Sequence, residues 1–356
     1  MINYVMENTK RNISFDILRI IACIMVVGIH TAMEGWYNIS PRTYTWTVLN
    51  FYDTLFRPAV PLFIMISGGL FLSKIQIDIK RLWIKNIFHL AVIYLIWAVF
   101  YAITNTGIKK TLADPKIIWD IVFGPNPQYH LWYLRTMLNL YAISPLLWIL
   151  VRGMDKKGFR YFLILFFVFG LLRHTIYELP FTPSWLHEQI NLFVKMDLVE
   201  YSGYFILGYF LTSTDYIRKY SGKKLITIYL ITLFLAAGLN QWIAAAGDWP
   251  TQALYGNFSI PVAIEAVCIF LLVFSKKEST LISETYRKWL VRISESTLFV
   301  YLIHPFMIQR IHLYLKLYTT DYNVLFSVPI FVIIVFSISS MIGMILKRIP
   351  LLKNIV

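Results

Sequence analysis

Ser14–His30, SFDILRIIACIMVVGIH, decides what kind of molecule this chain forms. It is a continuous apolar run that nonetheless carries Asp16, Arg19 and His30. A charged side chain in a transmembrane helix costs at least a few kcal/mol, so by default it faces a protein interior or a water-lined site. Arg19 and His30 are eleven residues apart, and at about 100° per residue a helix returns over that interval to within about 20° of its starting direction. Both groups therefore project from one stripe of the helix, separated by about 16 Å along its axis.

The apolar character continues outward from this run. The 356 residues are 58% hydrophobic and only 15% charged, whereas a soluble domain carries about a quarter charged residues. Apolar windows long enough to cross a bilayer fall at 14–33, 49–73, 83–104, 131–151, 159–177, 195–212, 225–246, 258–275, 292–313 and 324–346. Pro58, Pro61, Gly68 and Gly69 break the second window, and Asp197 and Glu200 interrupt the sixth. The expected fold class is all-α, a polytopic integral membrane protein of about ten transmembrane helices. Residues 14–350 form its one domain, between an N-terminal tail (1–13) and a C-terminal tail (351–356).

Loop charge gives the expected orientation. Placing the N-terminus in the cytoplasm assigns 22 of the 33 Lys and Arg residues to inside segments. Eight fall on outside connections, and Arg19, Arg57 and Arg135 lie within spans. The bias repeats at every loop, which is the positive-inside pattern for two cytoplasmic termini in a cell (inner) membrane. It accounts for the net charge of +14 without any nucleic-acid partner. The first span has no following small-x-small site, so no cleavable signal peptide is expected. Cys23 and Cys268 both fall in spans, so neither a structural disulfide nor a metal site is expected.

Polar groups inside spans are the candidates for chemistry. Asp16 and Arg19 are spaced i, i+3 and can pair near the cytoplasmic end; a snorkelling arginine is the plainer reading of Arg19. His30 has the residue type of a general base, although an intramembrane histidine also serves as a packing hydrogen-bonder. Asp53 and Arg57, at i, i+4, can pair at the outer end of the second span. Pro58 and Pro61 should break the helix there, as happens where a cavity is lined. Ser67-Gly68-Gly69 allows close approach of a helix or a ligand. Trp132 and Tyr133 fit an interfacial aromatic belt, and Arg135 should face the interior. On the ninth span, Glu295 and His304 lie about 180° apart unless Pro305 distorts the helix. His304 falls near the depth of His30, so the two could share a site. Glu200 and Glu265 complete the set, with structural pairing the more ordinary role. Lys80, Arg81 and Lys85 follow the second span, where topology explains them and phosphate capture is the alternative. No Walker-type loop or dinucleotide fingerprint is present.

In their order, these segments resemble the acyltransferase-3 family of membrane proteins. The Arg, ten residues and His of Arg19–His30 match that family's first-span motif. FRPAVPLFIMISGGLFL is similar to its second span, HLWYL to its fourth, EYSGYFILGYFL to its sixth and SESTLFVYLIHPF to its ninth. The resemblance covers residues 14 to 350. It implies an enzyme that takes an acyl group, usually acetyl, from cytoplasmic acyl-CoA and passes it to a hydroxyl of a glycan or lipid-linked acceptor outside. Acyl-CoA is then a co-substrate, and no bound cofactor is implied. His30 matches the essential histidine and Arg19 the arginine of the same motif. The family often carries Arg-x-x-Arg after the second span, contacting the donor; here Arg81 is followed by Ile84 and Lys85. With no hydrolase-like or racemase segment in evidence, the chain looks like the stand-alone surface-polysaccharide O-acyltransferases.

The implied mechanism starts at a basic inner face that suits an anionic donor. The adenosine-phosphate end of CoA would dock near Arg19 and the loop of Lys80, Arg81 and Lys85, and the pantetheine arm would reach outward toward His30. His30 would deprotonate the acceptor hydroxyl or briefly carry the acyl group. Arg57 or Arg135 would stabilise the oxyanion, and His304 would lie on the acceptor side, with Asp16, Asp53 and Glu295 in support. The competing class is a carrier of a glycan or small solute, since intramembrane Asp, Arg and His also mark transport pathways. A third is a non-catalytic partner of a glycan synthase. The sequence leaves the acceptor, the acyl size and the oligomeric state open.

Overall fold

Every regular element is helical in the computed structural model, which describes residues 11–124, 128–192, 197–213, 220–275 and 283–350. The chain divides into two units, residues 71–154 and most of the remainder. The first unit begins with α1 (Ile13–Ala32), α2 (Tyr44–Phe56) and α3 (Ala59–Leu72), whose last two residues belong to the second unit. The second unit then holds α4 (Ile79–Leu82), α5 (His89–Thr106), α6 (Ile108–Ala113), α7 (Pro115–Val122) and α8 (Trp132–Gly153). The first unit resumes with α9 (Lys156–Leu165), α10 (Arg173–Glu178), α11 (Ser184–Leu192) and α12 (Asp197–Ser213). It ends with α13 (Gly222–Gly247), α14 (Ile260–Ser275), α15 (Glu284–Arg310) and α16 (Val324–Leu346). Short π-helical turns join α4 to α5, join α9 to α10 and extend α15 over Ile311–Leu315.

Among the described residues, eight helical runs are long and apolar enough to cross a membrane. They overlie eight of the ten expected windows. The other two windows are occupied by α12, with 17 residues, and α14, with 16. Both border residues outside the described ones, α12 at either end and α14 after Ser275. The expected tails at 1–10 and 351–356, and the basic residues Lys10, Lys195, Arg218, Lys219, Lys276, Lys277 and Lys353, lie outside the described residues.

Local chemistry explains where the key helices start and stop. Asn12 caps α1 by accepting a hydrogen bond from the Ser14 backbone N–H at 2.9 Å, satisfying one of the donors left open at a helix start. Thr43 caps α2 through the Trp46 N–H at 3.2 Å. The second span breaks where the prolines require it, between α2 and α3 at Arg57-Pro58. Gly68 and Gly69 answer to packing: a Cβ on Gly68 would strike the Phe205 carbonyl of α12, and one on Gly208 would strike the Met65 carbonyl of α3. These reciprocal glycines let the two backbones touch.

The helix pair that organises the site is α1 with α15. Asp16 meets Ser294, Cys23 meets the Thr297 carbonyl, and His30 meets His304. The contacts advance together along both chains, so the two helices run parallel. Gly28 lies on α1 beside the Phe56 ring, which fills the space a Cβ would need. A glycine two residues before His30 therefore lets α2 pack closely on α1.

Candidate functional site

One end of the α1–α15 seam is a pair of histidines. The His30 and His304 rings stack with centroids 5.1 Å apart and planes 25° apart. His304 is fully buried, and its Nδ1 lies 2.8 Å from the Tyr301 carbonyl and 3.2 Å from that of Val300. A carbonyl oxygen only accepts, so Nδ1 carries the proton and Nε2 is the basic nitrogen of the neutral ring. Pro305 follows directly, yet α15 continues to Arg310. Glu295 lies nine residues earlier in the same helix and meets Arg11 instead, so the proline does not bring it to His304.

One turn beyond His30, the chain gathers polar groups that periodicity alone makes visible in retrospect. Glu34, spaced i+4 from His30, accepts hydrogen bonds from the Thr319 N–H (3.1 Å) and hydroxyl (2.8 Å). Its other oxygen lies 3.1 Å from His312 Nε2, and the His312 ring stacks on Tyr318. Beside this lies the Asp53–Arg57 pair foreseen from i, i+4 spacing, with contacts of 2.5 and 3.0 Å and Asp53 fully buried. The Arg57 guanidinium sits 5.0 Å over the Tyr255 ring and 3.5 Å from Met33 Sδ. Tyr255 in turn hydrogen-bonds to Asn50, which Asn240 also contacts at 3.0 Å. Arg57 is thereby held in a fixed pose against residue 33, three positions beyond His30.

At the opposite end of the seam, Asp16 is nearly inaccessible to solvent and takes three close donors. Arg11 supplies Nη2 at 2.7 Å and Nε at 2.9 Å, and Ser294 its hydroxyl at 2.6 Å. Arg19 Nη1 is 3.6 Å away, an ion-pair distance but a looser one than the Arg11 fork. Arg11 also reaches Glu295 at 2.5 Å, and its bonds to Asp16, the largest influence, push its pKa up. Lys347 Nζ donates to the Glu295 carbonyl at 2.5 Å. Arg11 precedes the span and carried no sequence signal beyond its charge.

In the second unit, Lys74, Arg81 and Lys85 line one cleft of about 390 Å³, with Gln76, Asp78 and Asn86 among its walls. Lys80 is not part of that lining. Asp78 is engaged as the N-cap of α4, accepting from the Arg81 N–H at 3.0 Å. Burial, with the Arg81 charge second, lowers the Lys74 pKa. Lys74 is thus part of the basic cluster that spacing alone confined to residues 80–85. Arg135 of α8 is occupied in the same unit: it donates to the Gly124 carbonyl at 2.8 Å and to the Tyr94 hydroxyl, and lies over the Tyr94 ring. It pins the end of α7.

Two further acids resolve in the first unit. Glu200 pairs with Arg173 at 2.7 Å. Glu265 is fully buried, with no hydrogen-bond partner for either oxygen among the described residues. No group of three or more His, Cys, Asp or Glu suited to a metal occurs among the described residues.

The site thus lies on parallel helices of a multi-pass helical membrane protein, with Arg19 and His30 on α1 and His304 of α15 against His30. The family profile described as an acyltransferase domain matches residues 12–347, and the chain belongs to the acyltransferase-3 family. It is also similar to a serine/alanine racemase of Enterococcus gallinarum, 26% identical over 321 residues that cover 85% of this chain and 42% of that protein. An amino-acid racemase of Enterococcus faecalis is 23% identical over 305 residues, covering 83% and 41% respectively. The chain therefore spans about two fifths of the length of the curated relatives it matches. No solved structure matches it.

Proposed function

We propose that this chain is a membrane O-acyltransferase of the cell (inner) membrane, with both termini in the cytoplasm. It moves an acyl group, acetyl in the simplest case, from cytoplasmic acyl-CoA to a hydroxyl of a surface polysaccharide or lipid-linked glycan. The observation that carries this reading is the His30–His304 stack on the helix that bears the family's Arg and His. His30 removes the proton from the acceptor hydroxyl. The alkoxide forms its bond to the thioester carbonyl, the carbon–sulfur bond breaks, and the proton passes to the departing CoA thiolate. His304 holds the His30 ring in place by stacking on it and brings its Nε2 into the same site, and Arg57, fixed by Asp53, offers a positive charge to the oxyanion.

On the donor side we assign Arg19 to the anionic donor, since an arginine fork suits phosphate. The cleft of Lys74, Arg81 and Lys85 has the charge for a phosphorylated ligand in its own right. We give Arg135 a loop-holding role rather than an oxyanion one, because its guanidinium already serves Gly124 and Tyr94.

The reading is tested by incubating purified protein in bilayers with acetyl-CoA labelled in the acetyl group and a membrane glycan fraction. Label transferred to glycan supports it. Label that stays on CoA, while glycan or a small solute crosses the vesicle membrane, identifies a carrier instead.

A further inference from the structure

We propose that Arg11 is a positioning residue for acyl transfer: by occupying Asp16, it keeps Arg19 from being drawn onto that carboxylate. The inference rests on the reading of Arg19 as a contact for the acyl-CoA donor. Asp16 and Arg19 stand one turn apart on α1, a spacing at which an arginine and a carboxylate ordinarily close into a pair. Here they stop at 3.6 Å. The reason is visible on the carboxylate. Arg11 places its fork across both oxygens, at 2.7 and 2.9 Å, and Ser294 adds a hydroxyl at 2.6 Å. A bidentate arginine is the strongest side-chain partner a carboxylate can take, so little remains to attract a second guanidinium.

The rest of the geometry keeps Arg11 in place. Its Nη1 reaches Glu295 at 2.5 Å, and its backbone carbonyl accepts from Arg287 Nη2 at 2.8 Å. Take Arg11 away and Asp16, about 1% exposed, keeps among the described residues one close donor, the Ser294 hydroxyl, and the looser Arg19 contact. That is a costly state, which the nearest cation relieves. Among the described residues that cation is Arg19. To bind a phosphorylated donor it would first have to break a charge-assisted hydrogen bond.

The test uses the full chain in nanodiscs, with coenzyme A as the binding probe and phenylglyoxal modification of Arg19, mapped by mass spectrometry, as a readout independent of the donor. Arg11→Ala should raise the Kd for coenzyme A about tenfold, the scale of one charged hydrogen bond, and slow the modification of Arg19. Turnover at saturating acetyl-CoA should stay within about twofold, because His30 is untouched. Adding Asp16→Asn to Arg11→Ala should restore both Kd and Arg19 reactivity, since an amide does not hold a guanidinium as a carboxylate does. Arg11→Lys should restore them only in part, lacking the fork. Unchanged Kd and reactivity in Arg11→Ala would overturn the proposal. So would a loss that Asp16→Asn fails to rescue, with saturated turnover falling too, because that marks a clasp that merely joins α1 to α15. If wild-type protein binds no coenzyme A, the donor reading of Arg19 falls, and the reactivity series then decides the Arg11 claim alone.

Discussion

His304 shows how much chemistry a single backbone contact can set. Its Nδ1 proton is committed to the Tyr301 and Val300 carbonyls, which fixes the tautomer and leaves Nε2 as the basic nitrogen of a ring stacked on His30. Asparagine places its amide nitrogen where Nδ1 sits but has nothing at the Nε2 position. His304→Asn should therefore keep the fold, judged by an unchanged Tm, while acetyl-CoA consumption drops by about 100-fold, the lower end of the general acid–base range. Unchanged consumption would confine His304 to packing. Arg57 makes the complementary point. Its charge survives in a buried setting because Asp53 neutralises it and the Tyr255 ring lies beneath it.

At the scale of elements, two of the helix contacts in the first unit differ in kind. The α1–α15 seam is polar and repeats along its length, from Asp16 with Ser294 to His30 with His304. The α3–α12 contact is instead backbone against backbone, permitted by Gly68 and Gly208. Gly208→Ala forces a methyl group onto the Met65 carbonyl. Overpacking of that sort costs about 1–3 kcal/mol, so Tm should fall by several degrees. Gly238→Ala in α13 is the matched control, because nothing lies within 4 Å of its added Cβ. That change should leave Tm unchanged or slightly higher, since alanine exceeds glycine in helix propensity by about 1 kcal/mol. Equal losses from both would mean that helix propensity, not contact, governs these positions.

For the whole molecule, hydropathy made the helical membrane class readable, because apolar length is a property of sequence alone. The break at Arg57-Pro58 and the Asp53–Arg57 pair were equally legible, being set by proline and by i, i+4 spacing. What stayed hidden depends on partners distant in sequence. Spacing put His30 and His304 at similar depth, but only the parallel packing of α1 and α15 stacks them. Arg11 looked like one more cytoplasmic charge until its contact with Asp16, and Lys74 like a loop residue until it lined the cleft with Arg81. The central claim is that His30 performs the chemistry. Its most direct test is acetyl-CoA consumption by His30→Ala in reconstituted membranes with a glycan acceptor. The account predicts that consumption is abolished while the variant still binds coenzyme A as wild type does; a variant that still transfers acetyl at the wild-type rate would contradict it.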